Sequence, residues 1–307
     1  MNLFLTILTA TYNREEKLAQ LYESLCRQTV EPGTFLWLVA DDGSTDGTGN
    51  KVRIWQDEQR CKKNGFQIKY IYFKNGGKHR VLNRVLKDVQ TTLVMPVDSD
   101  DYLTNDAVAT IRDIFEESLS DGSIHQLCGF SFLRQQANGQ FMSKKVLKDG
   151  TMSTFCEERI NRSNQGDMAE VWVTEILRLF PFPEYPREKF LGEDVVWIRM
   201  SGPYYMRFFN RAIYRSDYLQ DGLTNNRRQI NMHSPLGCTE RARTFLESSC
   251  IRTCKKVKPA MQYWIYGHIA GNSIRELYQK RPGHGILLIL TIAPAMILET
   301  IWRRKQL

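Results

Sequence analysis

Hydrophobic and polar positions alternate with two different periods along the first hundred residues. Short apolar runs typical of buried strands occupy residues 3–9, 35–40, 67–73 and 92–97. Between these runs, apolar residues recur at helical spacing, as they do over residues 81–89. This β-α-β-α-β-α-β order predicts an α/β fold built on a doubly wound, mostly parallel sheet.

A cluster of polar residues follows each predicted strand, at residues 10–14, 41–48, 75–80 and 98–101. In open parallel sheets, ligands bind beyond the carboxyl ends of the strands, where loops from different strands meet. The sequence therefore predicts one cleft that collects all four polar clusters.

The pattern becomes less regular after this predicted sheet. A helix is expected after Asp106, and residues 125–150 predict strands around a turn at Asn138-Gly139. Residues 155–190 are mixed and rich in proline, and residues 195–200 have a helical pattern.

From about residue 239 the chain is helical in pattern and basic. We therefore expect an α/β domain over residues 1–238, with halves of about 1–101 and 102–238. A basic helical extension is expected over residues 239–307.

The composition excludes wholesale disorder, because 42% of the 307 residues are hydrophobic and 25% are charged. The seven cysteines are scattered without a CxxC pair, which argues against a zinc knuckle or a thioredoxin-like motif. The first residues lack the basic start and long apolar stretch of a signal peptide. We therefore expect a reduced, cytoplasmic chain.

The positive charge is concentrated in the last third of the chain. Residues 1–198 hold 24 Lys and Arg against 28 Asp and Glu, whereas residues 199–307 hold 18 against 6, a net charge of +12. Such a region indicates an anionic partner, whether nucleic acid, a phosphorylated substrate or an anionic membrane surface.

Asp98 and Asp100 stand directly after the fourth predicted strand. Carboxylates in that position can hold a hard divalent cation, which neutralises charge on a diphosphate leaving group. An acidic turn that begins the helix after Thr104 explains the same residues, so both interpretations stay open.

Two further clusters have the chemistry of a nucleotide site. A carboxylate of Asp41 or Asp42 can accept a hydrogen bond from a base or a ribose hydroxyl, although Asp also favours caps and tight turns. Residues 75–80 combine glycines with Lys78 at a predicted helix N-terminus, which suits a phosphate. A loop that merely begins a helix has the same sequence.

Asp194 is a candidate general base. A base needs a carboxylate in partly apolar surroundings, and three apolar residues follow Asp194 directly. The alternative is an acidic first turn that the helix dipole favours.

Taken in order, these motifs resemble glycosyltransferase family 2, whose members have the GT-A fold. The resemblance covers about residues 3–200. It rests on the segments Thr9-Ala10-Thr11-Tyr12-Asn13-Arg14, Asp41-Asp42-Gly43-Ser44-Thr45-Asp46-Gly47-Thr48, Asn75-Gly76-Gly77-Lys78 with Leu82-Asn83, Asp98-Ser99-Asp100-Asp101 and Gly192-Glu193-Asp194.

The resemblance implies a nucleotide-sugar donor, most often a UDP-sugar, with Mg²⁺ or Mn²⁺ and inversion at the anomeric carbon. It also implies a role for each matching residue. Thr11 and Tyr12 would line the nucleotide, Asp42 with Asp41 would bind the base, Lys78 would approach the diphosphate or the sugar, Asp98 would contact ribose or metal-bound groups, Asp100 would bind the metal, and Asp194 would deprotonate the acceptor.

The sequence departs from the processive synthases of this family, because it lacks a QxxRW motif and a multi-helix membrane domain. This favours transfer of a single sugar in the synthesis of a bacterial surface polysaccharide. Residues 217–224 and 232–235 are similar to the C-terminal region of such transferases. His233 is a possible further metal ligand or a structural histidine, and Arg227 and Arg228 face a phosphate or form a solvated basic loop.

Residues 286–298 form an uncharged segment that contains Pro294 and is flanked by basic residues. Thirteen helical residues span about 20 Å, less than the roughly 30 Å hydrocarbon core, so a transmembrane helix is disfavoured. A buried core helix is one alternative, but we expect a monotopic or re-entrant anchor with basic residues at the headgroups, so that the extension over residues 239–307 associates with the membrane. An anchor would suit a saccharide acceptor on polyprenyl diphosphate, at the cytoplasmic face of a bacterial membrane. The apolar content after residue 255 leaves room for a homodimer.

Two other functions explain parts of the sequence. A sugar nucleotidyltransferase shares the doubly wound sheet but usually begins with a Gly-rich basic loop, which residues 9–14 lack. A nonenzymatic basic module that binds membrane or nucleic acid explains the charge but not the four polar clusters. Aromatic residues do not alternate with the basic ones as nucleic-acid stacking requires, so no nucleic-acid partner is expected.

Overall fold

A computed structural model describes residues 3–31, 33–62, 65–164, 166–216 and 227–304. The chain divides into two compact units. The first comprises Met1–Thr154, Asn164–Pro181 and Tyr204–Leu219, and the second comprises Phe155–Ser163, Phe182–Pro203 and Gln220–Leu307.

The first unit is built on one mixed sheet, in which nine strands fall within the described residues. The strands are β1 (Leu5–Thr11), β2 (Phe35–Asp41), β3 (Gln67–Tyr72), β4 (Leu93–Pro96), β5 (Tyr102–Leu103), β6 (Leu127–Gln135), β7 (Thr151–Ser153), β8 (Met168–Val173) and β9 (Tyr205–Arg215). Their order is β3-β2-β1-β4-β8-β6-β9-β5, with β7 paired to β9.

The strands β3-β2-β1-β4 pair in parallel, as the alternating pattern predicts. The rest of the sheet is mixed: β8 runs antiparallel to β4 and β6, while β6 and β9 are parallel. The helices of this unit are α1 (Leu18–Cys26), α2 (Thr48–Cys61), α3 (Lys78–Leu86), α4 (Ala107–Ser120) and α5 (Thr174–Arg178), with a short 3₁₀ helix at Ser123–Gln126.

The strands β1, β2 and β4 are mostly buried, which explains their apolar runs, whereas the edge strand β3 has no buried residue. Trp37 of β2 is fully buried between the sheet and the helices α1 and α2. Its ring lies 6.2 Å from Tyr22 and 6.0 Å from Trp55, and its indole donates a hydrogen bond to the Thr9 hydroxyl. This aromatic cluster fixes the two helices on one face of the sheet.

One local prediction is wrong in part. The turn at Gly139 forms, with a positive φ of 85°, but the second strand expected within residues 125–150 is reduced to a bridge between Gln135 and Phe141. β6 pairs instead with β8 and β9, which are distant in sequence. These long-range partners leave no local signal in residues 125–150.

The second unit is helical in its described residues. Its helices are α6 (Asp194–Met200), α7 (Arg227–Met232), α8 (Pro235–Glu247), α9 (Val257–Ile269), α10 (Ile274–Gln279) and α11 (Gly285–Arg304), with a π-helical turn at Cys156–Asn161 and a 3₁₀ turn at Thr253–Lys255. The fully buried Tyr263 and Trp264 of α9 lie at the centre of its core.

The compact units do not follow the expected boundary at residue 238. Helix α6 precedes that boundary but packs with α8, because Arg199 pairs with Glu240 at 2.5 Å and Asp194 pairs with Arg241. Ion pairs between residues more than forty positions apart cannot be inferred from composition shifts along the chain.

The last helix is longer than its uncharged segment suggests. α11 has 20 residues and continues through Pro294. At 1.5 Å per residue its length is about 30 Å, which matches the hydrocarbon core of a bilayer. By length and composition it is the one described helix that could cross a membrane, although 22% of its apolar window is buried inside the protein. The length argument against a spanning helix is therefore wrong.

Candidate functional site

The ends of the parallel strands bring the polar clusters to one edge of the sheet. Thr11 and Asp41 are neighbours across β1 and β2, and Asp41 is a neighbour of Tyr72 on β3. The backbone of Asp42 donates a hydrogen bond to the Thr11 carbonyl at 2.8 Å. We call the turns after β1, β2, β3 and β4 the carboxyl edge, and they meet as predicted.

Asp42 holds the turn after β3. Its carboxylate accepts hydrogen bonds from the backbone of Gly76 and Gly77 at 2.7 and 2.8 Å and from the Asn75 side chain. Gly43 lies against the same turn, since an added Cβ would be 2.8 Å from the Asn75 nitrogen. The turn that leads to Lys78 is therefore fixed by the turn after β2.

Asp41 is fully buried and has a different set of partners. It accepts hydrogen bonds from the Tyr70 hydroxyl at 2.7 Å and from the Ser44 backbone at 2.7 Å. Burial, reinforced by the hydrogen bond to Asp41, raises the pKa of the Tyr70 hydroxyl above its usual range. Asp41 therefore shapes the turn from inside rather than facing solvent.

The turn after β1 presents an aromatic side chain to solvent. Tyr12 is about half exposed, whereas the Thr11 hydroxyl is buried without a hydrogen-bond partner in the described part of the chain. Asn13 has a positive φ of 51° and bonds with Ser44 and Thr45 of the neighbouring turn. Hydrogen bonds to the neighbouring turn therefore hold in place the turn that carries the exposed Tyr12 ring.

Asp98 lies between two cations. It accepts a hydrogen bond from Lys78 at 2.6 Å and pairs with Arg134 of β6 at 3.4 Å. Burial alone would raise the pKa of Asp98, but the Lys78 ammonium and the Arg134 guanidinium hold it well below its usual range. Asp98 is therefore an anion that holds Lys78 in place at the carboxyl edge.

Asp101 also forms an ion pair with Arg134, and its side chain is more deeply buried than that of Asp98. It lies 3.4 Å from Arg134 and accepts a hydrogen bond from the Tyr214 hydroxyl at 2.9 Å. The Arg134 guanidinium also stacks on the Tyr214 ring at 4.0 Å. Burial, together with the charge of Asp98, raises the pKa of Asp101 to about 7.

Few side chains at the carboxyl edge are placed to bind a divalent metal ion. Asp100 is half-buried, and its carboxylate has no ion pair or hydrogen bond within the described residues. The described residues contain no group of three His, Cys, Asp or Glu that could hold a metal ion. Because Mg²⁺ is often held by one or two carboxylates plus substrate phosphates, Asp100 fits such a site and Asp98 is already engaged by cations.

Asp194, the predicted base, is the first residue of α6 and lies in the second unit. Arg241 of α8 donates to both of its oxygens, with the Nε at 2.8 Å and the Nη2 at 2.5 Å. Both side chains keep about a quarter of their surface exposed. Burial alone would lower the pKa of Arg241, but the Asp194 carboxylate raises it.

The predicted Gly192-Glu193-Asp194 motif has a steric basis. An added Cβ on Gly192 would lie 2.8 Å from the Asp194 carboxylate and 3.1 Å from the Arg241 side chain. Arg241 in turn packs over the Phe245 ring at 4.8 Å. A residue without a side chain at position 192 therefore lets the ion pair form.

His233 is exposed, and its Nδ1 lies 2.8 Å from the Gln229 carbonyl within the same stretch of chain. Its role as a metal ligand stays a prediction. Arg228 lies over the Trp302 ring at 5.3 Å, which favours neither of its two interpretations. Residues 217–224 and the Arg227 side chain lie outside the described residues.

Comparison with known proteins decides the family. The model of the family described as glycosyl transferase family 2 matches residues 6–154, which include the whole carboxyl edge. This segment belongs to glycosyl transferase family 2. The family resemblance drawn from the sequence is thereby confirmed.

The chain is similar to poly(ribitol-phosphate) beta-N-acetylglucosaminyltransferase TarS of Staphylococcus aureus. The two are 26% identical over 144 residues, which are 47% of this chain and 23% of TarS. The chain spans less than a quarter of the length of the curated relatives it matches.

Two solved structures confirm the GT-A fold. Residues 1–349 of S. aureus TarS in complex with UDP-GlcNAc match with a TM-score of 0.60 and 17% identity, covering 95% of this chain and 80% of that one. The Pyrobaculum calidifontis mannosyltransferase PcManGT in complex with GDP-Man and Mn²⁺ matches with a TM-score of 0.51 and 16% identity, covering 98% and 87%.

Sequence reasoning missed three residues that contact predicted site residues: Arg134 and Tyr214 in the first unit, and Arg241 in the second. Arg134 and Tyr214 lie on strands whose pairing is long-range, and Arg241 lies 47 residues from its partner Asp194. The available signal for Arg134 was a cation directly after the apolar run 127–133, which a buried strand carries only when the charge is paired.

Proposed function

We propose that this protein is an inverting, metal-dependent glycosyltransferase that moves one sugar from a UDP-sugar to a hydroxyl of a lipid-linked saccharide. The observation that supports it is the carboxyl edge of the family 2 segment, which carries Tyr12, Lys78 and Asp100 on the turns after three strands of one parallel sheet. TarS, which is similar in sequence and in fold, is solved in complex with UDP-GlcNAc, and this supports a UDP-sugar as the donor, although PcManGT is solved with GDP-Man. The family match favours a transferase over a nucleotidyltransferase or a nonenzymatic module.

The nucleotide would occupy the turns after β1 and β2. The exposed ring of Tyr12 offers a face for the base, and Thr11 lines the same turn. Asp42, with Asp41 behind it, would accept hydrogen bonds from the base. Each carboxylate oxygen has two lone pairs, and the Oδ2 of Asp42 already accepts from Gly77 and Asn75, so the remaining acceptor capacity is on Oδ1, which accepts from Gly76.

The diphosphate would lie beside Lys78, the cation that Asp98 holds in place. Asp100 would hold Mg²⁺ or Mn²⁺ together with phosphate oxygens and water, and Asp98 would contact the ribose or metal-bound groups. When bound, the metal neutralises charge that develops on the leaving diphosphate. Lys78 supplies the same kind of stabilisation from the protein.

The transfer itself is a single displacement. The acceptor hydroxyl oxygen bonds to the anomeric carbon, the bond from that carbon to the diphosphate oxygen breaks, and UDP leaves with the electron pair. Attack opposite the leaving group inverts the anomeric centre. Asp194 would take the hydroxyl proton, and Arg241, which donates to both of its oxygens, would orient the carboxylate.

The acceptor proposal rests on charge and on the relatives. The net charge of +12 over residues 199–307 favours an acceptor that carries phosphate, such as a saccharide on polyprenyl diphosphate. TarS, by its name, acts on poly(ribitol-phosphate), another phosphate-bearing glycan. We place the protein at the cytoplasmic face of a bacterial membrane, in surface-glycan synthesis.

The test is release of nucleoside diphosphate from a panel of nucleotide sugars, with Mn²⁺ or Mg²⁺ and an acceptor lipid extract. We expect release from one UDP-sugar, loss after chelation of the metal, and loss in Asp100→Ala. General base catalysis contributes about 10²- to 10⁴-fold, so Asp194→Ala should lose activity by that factor.

Binding of UDP separates the possible failures. Titration with UDP and Mn²⁺ should show binding in wild type and in Asp194→Ala, but weaker metal-dependent binding in Asp100→Ala. A chain that neither releases nor binds any nucleotide would overturn the proposed function.

A further inference from the structure

Helix α11 has one face packed inside the second unit. Its residues Leu288 and Ala295 are fully buried in the core around α9. The Trp264 indole donates to the Leu288 carbonyl at 2.9 Å, and His268 contacts the Glu299 carboxylate at 2.9 Å. Polar contacts thus hold α11 against α9 near both of its ends.

The opposite face of α11 is apolar and exposed. Ile286 is 78% exposed and Leu290 is 71% exposed, and the same side carries four further small or apolar residues. We call this surface the outer face of α11, and it consists of Ile286, Ile289, Leu290, Ala293, Ile297 and Ile301. Exposed apolar surface of this continuity marks an interaction site in a folded protein.

Charge identifies what can cover this face. The one acidic residue of α11 is Glu299, whose buried carboxylate on the packed side contacts the exposed side chains of His268 and Arg303. Arg281 before the helix and Arg304 at its end are exposed, and neither has an ion pair within the described residues. An apolar strip with unpaired cations at its two ends matches a lipid surface with anionic headgroups.

A second copy of the chain fits this face poorly. An antiparallel pairing of two outer faces would bring Arg281 of one copy to Arg304 of the other, and a parallel pairing would bring identical arginines together. Like charges that face each other oppose association, so charge argues for lipid rather than for a dimer.

The packed side argues against a helix that crosses the bilayer. A spanning α11 would carry Glu299 and the attached α9 into the hydrocarbon, because the contacts with Trp264 and His268 join the two helices. Helix α9 begins next to the buried Lys256. Burying such charged groups in lipid is costly, so α11 can insert its outer face alone.

We propose that α11 lies in the plane of an anionic bilayer surface, with its outer face inserted below the headgroups and Arg281 and Arg304 contacting anionic lipid. This proposal refines the membrane location within the proposed function. It does not require sugar transfer, so vesicle binding and nucleotide release can fail separately.

Flotation of the purified full-length chain with lipid vesicles tests the apolar contact. The triple variant Ile289→Ser, Leu290→Ser, Ile297→Ser should lower partitioning onto vesicles that contain phosphatidylglycerol by about 100-fold or more, because three large apolar side chains no longer enter the lipid. Circular dichroism should show an unchanged fold, since all three side chains are exposed.

A matched control variant replaces three exposed apolar side chains that lie outside α11. Ile54, Leu147 and Leu179 are also exposed apolar residues, at 59%, 92% and 67%. Their triple Ser variant should float as wild type does. Equal loss in both triple variants would overturn the proposal, because the effect would then be general.

The charge contact has its own variant. Arg281→Gln with Arg304→Gln should remove the preference for phosphatidylglycerol over phosphatidylcholine vesicles and weaken the salt dependence of binding. If this variant still prefers phosphatidylglycerol to phosphatidylcholine vesicles as strongly as wild type does, the proposed contact of Arg281 and Arg304 with anionic lipid is wrong.

The mode of insertion is tested by reversibility and by size. An in-plane helix should let bound protein pass to an excess of empty vesicles without detergent, which a spanning helix would prevent.

Light scattering of the lipid-free chain should give the same mass for wild type and the outer-face variant. A wild-type dimer that the variant dissociates, without vesicle binding, would overturn the proposal in favour of self-association.

Discussion

At the scale of single residues, the carboxylates of the site differ in how this chain already uses them. Asp42 accepts backbone hydrogen bonds, Asp98 pairs with two cations, and Asp100 has no such partner in the described residues. The sequence motifs identify which residues are acidic but not what each one contacts. Residues of similar appearance therefore have different expected effects when they are changed.

Arg241 is expected to position Asp194. If Asp194 is the base, as proposed, Arg241→Ala should lower kcat by less than Asp194→Asn does, because the carboxylate remains but loses the two hydrogen bonds that orient it. Arg241→Lys should restore only part of the activity, since one ammonium cannot reproduce the forked contact. Steady-state kinetics of the three variants would measure this.

Added guanidinium ion supplies the decisive control for Arg241. It should raise kcat in Arg241→Ala, whose missing group it replaces, and leave Arg241→Lys unchanged. If Arg241→Ala changes only the Tm and not kcat, Arg241 is structural and this prediction is wrong.

Asp101 should make the stability of the first unit depend on pH. Its pKa is raised to about 7 in the folded protein, whereas an unfolded Asp titrates near 3.9. The folded state therefore binds the extra proton between these values, and the contribution to the free energy of unfolding is complete below about pH 4 and lost as pH rises through 7.

The variant Asp101→Asn should remove this dependence. The wild-type free energy of unfolding, relative to Asp101→Asn, should fall with rising pH by about 1 kcal/mol per unit between pH 5 and 7, measured by urea denaturation with chelator present. Asp121→Asn is the matched control, because Asp121 is exposed and its hydrogen bonds to Ser123 lower its pKa. A parallel pH dependence in wild type and Asp101→Asn would contradict the assignment.

At the scale of elements, the sequence predicts the half of the sheet that it encodes locally. The strands β1 to β4 match the predicted runs within two residues at each end. The strands β1, β2 and β4 are mostly buried, as their apolar runs predict, whereas the edge strand β3 has no buried residue. The pairing of β6 with β8 and β9 is not encoded locally, since residues far apart in sequence supply the partners. The same reason hides Arg134 and Arg241, although the carboxyl edge itself was predictable.

The turn after β2 should control the turn after β3. Gly43→Ala places a Cβ 2.8 Å from the Asn75 nitrogen at a φ of 88°, so it should displace the turn that Asp42 holds. We expect a loss of about 1–3 kcal/mol in the free energy of unfolding and weaker UDP binding, measured by denaturation and calorimetry.

Two variants separate the position of this turn from direct contact. Gly122→Ala also has a positive φ, of 73°, but open space around it, so it should cost stability without changing UDP affinity. Asp42→Asn should lower both quantities. If Gly43→Ala binds UDP as tightly as Gly122→Ala does, the position of the turn does not govern binding.

At the scale of the whole molecule, charge and chemistry are divided along the chain. The polar clusters of the family 2 segment lie within residues 1–198, which carry a net charge of −4. Residues 199–307 carry a net charge of +12. A local excess of cations raises the concentration of an anionic acceptor near the protein and is screened by salt over about 10 Å at 0.1 M. Charge therefore predicts a property of the acceptor that no single motif does.

The dependence of kcat/KM on ionic strength should follow the charge of the acceptor. With a soluble, phosphate-bearing acceptor, KM should rise about tenfold between 0.05 and 0.5 M salt while kcat changes little, because salt screens association and not the bound complex. A neutral glycoside of the same sugar should show no such rise, which controls for salt effects on the donor. The variant Arg281→Gln with Arg304→Gln should keep the dependence if lipid is absent, since those arginines serve the bilayer contact. Equal KM values at both salt concentrations for the phosphate-bearing acceptor would show that the basic region does not attract it.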